Sequence, residues 1–171
     1  NVGEEPVTAP NGMVCSVGYS LFDRTYYVLE GHVHSSGAVL DWIMDNLHLV
    51  NSSDEIKSLV ESVPNNGGVY FVPAFSGLGS PWWVPEAKAI ITGLTMSVNR
   101  AHVVRAALES IAYQVADVVE LATRDLDTPL RQLSIDGESA KNDFLMQFQA
   151  DILGFPVKRL GLEEASGLGS A

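Results

Sequence analysis

The segment Ala89–Glu109 constrains the fold more than any other part of this 171-residue chain. It passes from three apolar residues at 89–91 through a turn at Gly93 to Asn99, a favourable helix N-cap. Apolar residues then recur every three or four positions, which predicts one long helix continuing to about Thr123. At 1.5 Å per residue this helix is roughly 36 Å long, enough to cross a domain. Its predicted inward stripe is Val103, Ala107, Ile111, Val115, Val118 and Ala122.

Strands and helices alternate around this helix. Two β-rich stretches, Met13–Ser20 and Tyr26–Val33, are predicted to form a hairpin that turns at 22–25. Further strands are expected at Val69–Val72, Ala89–Leu94, Leu133–Ile135 and Val157–Leu160. Further helices are expected from Ser35 or Ser36 to Leu47, from a cap at Ser53, and over Asn142–Leu153, stopped by Gly154 and Pro156. The alternation predicts an α/β domain.

Composition narrows the class of protein. Hydrophobic residues make up 46% and charged residues 18%, which predicts one ordered domain with a core. The net charge of -11 disfavours a nucleic-acid partner, and no apolar run has the length of a membrane span. Cys15 is the only cysteine, so no intrachain disulfide forms, and a cytoplasmic location is expected. The first residue is not Met and the last residues, Ala165–Ala171, look helical, so we expect a domain incomplete at both ends.

One strand-to-helix connection has the form of a ligand-binding turn. In the segment 133–149, a strand predicted to be buried ends at Asp136-Gly137 and leads into a helix. Unpaired N–H groups and the helix dipole at such a point can hold a phosphate or a sugar hydroxyl. An ordinary βα turn is the alternative interpretation of a single Asp-Gly pair.

We expect structural roles for the other polar and aromatic residues that stand out in the sequence. His32 and His34 share a face of a strand, as two metal ligands would, but no third ligand is near in sequence. His48 and His102 lie at helix ends and are expected to cap or to face solvent. Cys15 is expected in the core. Gly77 and Gly79 precede no Lys-Ser/Thr pair, so the loop 73–85 is predicted to be rigid, with Trp82 and Trp83 buried, and not a phosphate loop.

Three segments in order resemble the FGGY family of carbohydrate kinases. Ala89–Glu109 is similar to the second family signature, Pro73–Pro85 to the loop P-A-F-x-G-L-G-x-P-Y-W, and 133–149 to the D-G-G turn region. The similarity extends from Asn1-Val2-Gly3 to Gly169-Ser170-Ala171. It implies the C-terminal, nucleotide-binding domain, residues 1–171, with the RNase H-like, actin-type ATPase fold: a mixed sheet flanked by helices. Within the family, the glycerol kinase subfamily resembles the chain more than xylulokinase or ribulokinase does, at Val72–Phe75, Ser110–Gln114 and Phe144–Gly154.

The resemblance implies a nucleotide site at five residues. In the family, the D-G-G turn and an Asn five residues after its first Gly lie on ATP; here Gly137 and Asn142 match, while Glu138 replaces the second Gly. In the family's E-G-x(5)-G-x(4)-W segment, the second Gly and the residue before Trp touch the nucleotide; these are Gly37 and Asp41, where Gln is usual. Without the family, close helix packing at Gly37 and a solvated Asp41 would be the simpler interpretation.

Glu138 has an electrostatic consequence for that site. A carboxylate about 4 Å from a phosphate charge costs about 1 kcal/mol in water and about 4 kcal/mol at an effective dielectric of 20. Lys141, three residues on, is placed to neutralise it.

The implied activity is transfer of the ATP γ-phosphoryl group to a polyol or sugar hydroxyl, with Mg²⁺. In the family the carboxylate base lies before the position of Asn1, so no catalytic and no metal-binding residue is assigned here, and the isolated chain is expected to be inactive. The implied partners are the small-molecule substrate, the protein's own N-terminal domain and further copies of the chain. Alternatives are a pentulose kinase, a non-catalytic relative whose site has decayed at Asp41 and Glu138, and an unrelated α/β domain.

Overall fold

The computed structural model of the chain describes residues 2–124 and 130–161. The expected helical run Ala165–Ala171 and the terminal matches at Asn1 and 169–171 lie outside the described residues. In chain order the elements are β1 (Val14–Leu21), β2 (Arg24–Glu30), α1 (Ala38–Asp45), α2 (Ser53–Glu61), β3 (Tyr70–Val72), β4 (Ile90–Thr92), α3 (Arg100–Thr123), β5 (Leu133–Ile135), a 3₁₀ helix (Glu138–Lys141), α4 (Asp143–Leu153) and β6 (Val157–Arg159).

The long helix α3 begins where its cap predicts. The Asn99 side chain accepts hydrogen bonds from the N–H groups of Ala101 at 2.9 Å and His102 at 3.4 Å. In return, Nδ1 of His102 accepts the N–H of Asn99 at 3.2 Å, which completes a capping box. The predicted capping role of His102 is therefore confirmed, and the helix runs to Thr123 as expected.

The burial of α3 extends beyond the six predicted apolar positions. Only Ala107 and Ile111 of these six positions are fully buried, whereas every residue from Ala106 to Ala112 is buried. The middle turns are enclosed because α1, α2, α4 and β3 all contact α3. A stripe is the pattern of a helix at the surface, and α3 lies at the centre of the domain.

Three strand pairs accompany the helices. β1 and β2 are antiparallel, as the predicted hairpin requires, and turn at Phe22 and Asp23, whose φ angles of 48° and 65° match a two-residue hairpin turn. β3 pairs with β4 antiparallel, and β5 pairs with β6 parallel. Both senses of pairing therefore occur, although the three pairs stay separate within the described residues. β5 is only partly buried, contrary to the expectation of a buried strand, and β3 buries only Phe71.

Two predicted helix caps are shifted along the chain. α1 begins at Ala38 after Gly37, which has no side chain to cap the helix. Ser35 is buried, and its carbonyl accepts from the side chain of Gln114 on α3 at 3.0 Å. α2 is capped by Ser52, whose hydroxyl accepts the N–H of Glu55 at 3.3 Å, so Ser53 is the first helical residue. Gly154, with φ 71°, ends α4 as predicted.

The core forms where the shorter helices meet α3. Each of them contributes fully enclosed apolar side chains, and removing one such side chain from water contributes about 1.5–3 kcal/mol. The largest of these residues are Val39 and Ile43 of α1, Val60 of α2, Val104 and Leu108 of α3, and Leu145 of α4. Leu47, where the sequence predicted this helix to end, lies beyond α1 and is 39% exposed.

The loop at 73–85 is closed but its tryptophans are not buried. Leu78 and Val84 exchange backbone hydrogen bonds at 2.9 and 3.0 Å, which supports the predicted rigidity. Trp82 and Trp83 are 60% and 44% exposed, so the prediction of burial is wrong. The loop folds onto its own backbone and leaves the two rings outside, with the Trp83 indole N–H donating to the Gly12 carbonyl at 2.9 Å.

His32, His34, His48 and Cys15 all lie outside the buried core. No group of three or more His, Cys, Asp or Glu side chains within residues 2–124 and 130–161 could hold a metal ion. His48 lies beyond the end of α1 beside the Met44 carbonyl, and Cys15 is only half-buried on β1, not in the core. Within the same residues, no helix has both the length and the apolarity that a bilayer crossing requires.

Asp117 on α3 gives a pH-dependent prediction. Burial raises the pKa of the Asp117 carboxyl, and a hydrogen bond from the Trp82 side chain opposes the shift. Because the folded pKa lies above the unfolded one, the wild type loses stability as pH rises from about 4 through the folded pKa. We expect Asp117→Asn, which keeps an acceptor for Trp82, to stabilise the protein at pH 7 by less than about 1 kcal/mol and to have no effect below about pH 4. Thermal unfolding from pH 3.5 to 8 measures this; a pH-independent difference would contradict it.

Candidate functional site

A cleft of about 420 Å³ opens where the N-terminal ends of α1, α2 and α4 meet the 3₁₀ helix. Its lining mixes apolar side chains with polar and charged ones. The lining residues are Gly37, Leu40, Asp41, Met44, Ser53, Asp54, Ile56, Lys57, Glu138, Ser139, Lys141, Asn142 and Asp143.

The turn after β5 shapes one wall of this cleft. Gly137 has φ 90°, a conformation that side chains disfavour, and it redirects the chain from β5 into the 3₁₀ helix. The Ala140 N–H then bonds the Gly137 carbonyl at 3.1 Å. The sequence predicted a direct passage from Gly137 into α4, and the structure instead inserts this extra turn. The insertion separates Gly137 from Asn142, so the two residues lie at opposite ends of one short helix.

The two predicted nucleotide-binding segments lie side by side. A Cβ atom added to Gly37 would lie 3.2 Å from Oγ of Ser139, although about a hundred residues separate the two positions. Gly37, Asp41, Glu138 and Asn142 all line the cleft. Gly137 lines an adjoining hollow of about 250 Å³, together with Glu138. The structure therefore gathers the five residues, and it also shows the close packing that Gly37 permits.

Some of the charged side chains that line the cleft form ion pairs. Lys141 Nζ lies 2.8 Å from Glu138 Oε2, as the sequence predicts, but both side chains are largely exposed, so the pair contributes at most about 1 kcal/mol. Arg159 on β6 bonds Asp143 at 2.7 Å and lowers the pKa of that carboxyl. Asp41 and Asp54 make no ion pair within the described residues. These two carboxylates are therefore the acceptors that a ligand or its cation could meet.

Asn142 links the cleft to α4. Its Oδ1 accepts the N–H of Leu145 at 2.9 Å and so caps the helix. Its side-chain nitrogen makes no hydrogen bond within the described residues. One amide group can therefore fix the helix and still donate to a ligand in the cleft.

The sequence and the fold both match known kinases. The sequence profile of the FGGY family of carbohydrate kinases, C-terminal domain, matches residues 2–171. The chain belongs to the FGGY family. It is 48% identical to the glycerol kinase of Pseudarthrobacter chlorophenolicus and 49% identical to that of Koribacter versatilis, in each case over the whole chain and 34% of the relative. This FGGY domain thus spans about a third of the length of the curated relatives it matches.

Solved structures identify the fold. The crystal structure of Plasmodium falciparum glycerol kinase with ADP superposes with a TM-score of 0.88 at 36% identity, over 99% of this chain and 34% of that one. The ligand-bound xylulose kinase of Lactobacillus acidophilus gives 0.81 at 22% identity, over 95% of this chain and 33% of that one, a likeness of fold alone. The domain therefore has the actin-like ATPase fold, and the predicted family and fold class are confirmed.

Several lining residues were not predicted from the sequence. Asp54 and Lys57 on α2 and Ser139 in the 3₁₀ helix face the same cleft as the five predicted residues. The serine cap before α2 was a signal that a helix end lay there, but no local pattern showed which cleft that end would meet. The approach of α2 to α4 depends on α3 lying behind both helices.

Proposed function

We propose that the protein is an ATP-dependent kinase that phosphorylates glycerol, with this chain as its nucleotide-binding domain. The observation that carries the proposal is the meeting of Gly37 and Asp41 with the turn 137–142 in one cleft. Identity of 46–49% to several glycerol kinases supports the substrate. Pentulose kinases are less favoured because the solved xylulose kinases are only 18–25% identical.

The cleft suits a nucleoside phosphate in size and chemistry. Its volume lies in the range of small-molecule sites, about 300–1,000 Å³. Leu40, Met44 and Ile56 offer an apolar floor for a base. Backbone N–H groups at the helix ends and the Asn142 amide offer donors for phosphate or ribose oxygens. We propose Gly37, Asp41, Gly137, Glu138 and Asn142 as the nucleotide contacts.

Magnesium would be held mainly by the nucleotide. Mg²⁺ usually takes one or two carboxylates together with substrate phosphates, and Asp41 and Asp54 are the cleft carboxylates outside ion pairs in the described residues. When bound, the ion neutralises charge on the phosphates. The domain itself positions the nucleotide: the cleft holds it in place, and the N-terminal ends of the helices offset the negative charge of its phosphates.

The chemistry is completed outside this domain. The γ-phosphoryl group passes from ATP to a polyol hydroxyl, ADP leaves, and the hydroxyl proton goes to a carboxylate. We propose that a preceding N-terminal domain supplies that carboxylate and most polyol contacts, that the protein is cytoplasmic, and that it forms homo-oligomers. A non-catalytic relative with a decayed site is the second candidate, because Asp41 and Glu138 stand where the family has Gln and Gly.

A substrate panel separates these functions. The full-length protein is assayed with MgATP and glycerol, erythritol, xylulose or ribulose, and we expect glycerol to give the highest kcat/KM. The isolated 171-residue chain should give no turnover above background. Highest kcat/KM with a pentulose would favour the pentulose kinase, and nucleotide binding without any turnover would favour the non-catalytic relative.

Glu138→Gly tests whether the substituted carboxylate weakens ATP binding. Removing a negative charge at the cleft rim should leave the KM for ATP equal or lower it by up to about fivefold, since an exposed charge contributes up to roughly 1 kcal/mol. Glu138→Gln is the matched control that removes charge but keeps a side chain. A rise in KM in both variants would show that the carboxylate assists binding.

A further inference from the structure

A buried charged network lies behind the cleft. Arg105 and Glu109, one turn apart on α3, form an ion pair with Nε and Oε1 2.8 Å apart. Their side chains are only 14% and 4% exposed. The other carboxylate oxygen of Glu109 accepts from the side chain of Asn66 at 2.9 Å, so both oxygens are occupied. This arrangement holds the guanidinium of Arg105 in one orientation.

Arg105 in turn contacts two other helices. Its Nη1 donates to the Val63 carbonyl at 2.7 Å and the Val60 carbonyl at 3.4 Å, where α2 ends. The guanidinium carbon lies 4.8 Å from the ring centroid of Phe144, in the first turn of α4. One side chain therefore joins the end of α2 to the start of α4.

These two helices carry opposite parts of the cleft lining. Ile56 and Lys57 of α2 lie one turn before the Val60 carbonyl that Arg105 bonds, and Asn142 and Asp143 immediately precede Phe144. A change in the spacing of α2 and α4 would therefore change the width of the cleft. Arg105 itself does not line the cleft.

Stability alone is a weak reason for such a pair. Replacing a buried ion pair with apolar residues of similar volume is often neutral or stabilising. A planar guanidinium can meet a carboxylate, two carbonyls and an aromatic face at once, which a lysine ammonium cannot do. The contacts of Arg105 are of this combined kind.

We propose that Arg105, oriented by Glu109, is a positioning residue that sets the spacing of α2 and α4 and thereby the affinity of the cleft for nucleotide. The proposal rests on the proposed function, since it concerns the same cleft. It assigns no contact between Arg105 and the nucleotide.

Arg105→Lys in the full-length protein tests the proposal. The variant keeps the positive charge but loses the planar guanidinium and its several N–H donors. The KM for ATP should therefore rise about five- to twentyfold, corresponding to one or two lost hydrogen bonds. We expect kcat and the KM for the polyol to stay within about twofold. Arg24→Lys is the matched control, because Arg24 also pairs with a carboxylate, that of Glu4, and lies over an aromatic ring, that of Tyr26, but neither lines the cleft nor contacts α2 or α4 through these groups.

A second variant covers the case in which Arg105→Lys fails to fold. Arg105→Met/Glu109→Leu replaces the whole ion pair with apolar side chains and should also weaken nucleotide binding. Calorimetric titration of ADP into wild type and variants measures the Kd without turnover. A lower melting temperature with unchanged Kd and KM would mean a structural role only and would overturn the proposal. Absence of ADP binding by the wild type would instead overturn the proposed function, and this inference with it.

Discussion

Replacing Gly93 with alanine is expected to destabilise the protein by roughly 4 kcal/mol or more, an exceptional effect for one methyl group. The added Cβ would lie 1.9 Å from the Gly68 carbonyl oxygen, and that oxygen belongs to the backbone, so no side-chain rotation relieves the contact. Gly93 also has φ +81°, where an L side chain adds strain of its own. We expect little soluble protein at 37 °C and a large fall in melting temperature.

Gly68→Ala provides a matched control for the backbone strain. Gly68 has the same φ of +81°, but a Cβ there meets no atom within 4 Å. The strain alone should cost about 1–2 kcal/mol. The difference between the two variants in urea unfolding therefore isolates the collision. Equal losses of stability in both variants would show that the chain near Gly68 moves aside at little cost.

Gly37→Val is expected to lower ATP affinity by roughly ten- to a hundredfold while leaving the protein folded. A first added carbon at Gly37 already lies 3.2 Å from the Ser139 hydroxyl, and the methyl groups of valine would enter the cleft between α1 and the 3₁₀ helix. Gly37 has φ −53°, so its backbone accepts any L residue. The expected loss is therefore one of ligand space and not of backbone stability, and it depends on the proposed nucleotide site.

A graded series of variants at residue 37 separates the effect of the Cβ atom from that of the valine methyl groups. Gly37→Ala adds the Cβ alone, and the Ser139 hydroxyl can turn away, so a loss of only a few-fold is expected. Gly37→Ala/Ser139→Ala removes the close contact and should recover most of that loss. ADP titration gives the Kd of each variant, and thermal unfolding checks the fold. Wild-type affinity in Gly37→Val would place the nucleotide elsewhere.

The sequence predicted the elements of this domain because their signals are local. Asn99 and His102 cap α3 through groups at most three residues apart. The hairpin turns within two residues, and Gly154 ends α4 through its own backbone conformation. A capping hydrogen bond or a turn is complete within one segment, so the segment is sufficient to predict it.

Predictions about burial were weaker because burial depends on distant parts of the chain. The apolar positions predicted for α3 understate its burial, because four other elements contact that helix. Trp82 and Trp83 were expected to be buried in a rigid loop, but loop closure through Leu78 and Val84 leaves both rings exposed. Hydrophobicity indicates a tendency to be buried, and the fold decides which surface is available.

Local signals along the chain were sufficient to predict the helices, the hairpin and the family, since these depend on neighbouring residues and on motifs in order. The closeness of Gly37 to Ser139 and the place of α2 in the same cleft follow instead from packing in three dimensions. About a hundred residues separate Gly37 from Ser139, and their distance is set by how α1 and α4 both pack on α3. Packing among distant segments, and not any local pattern, therefore forms the cleft.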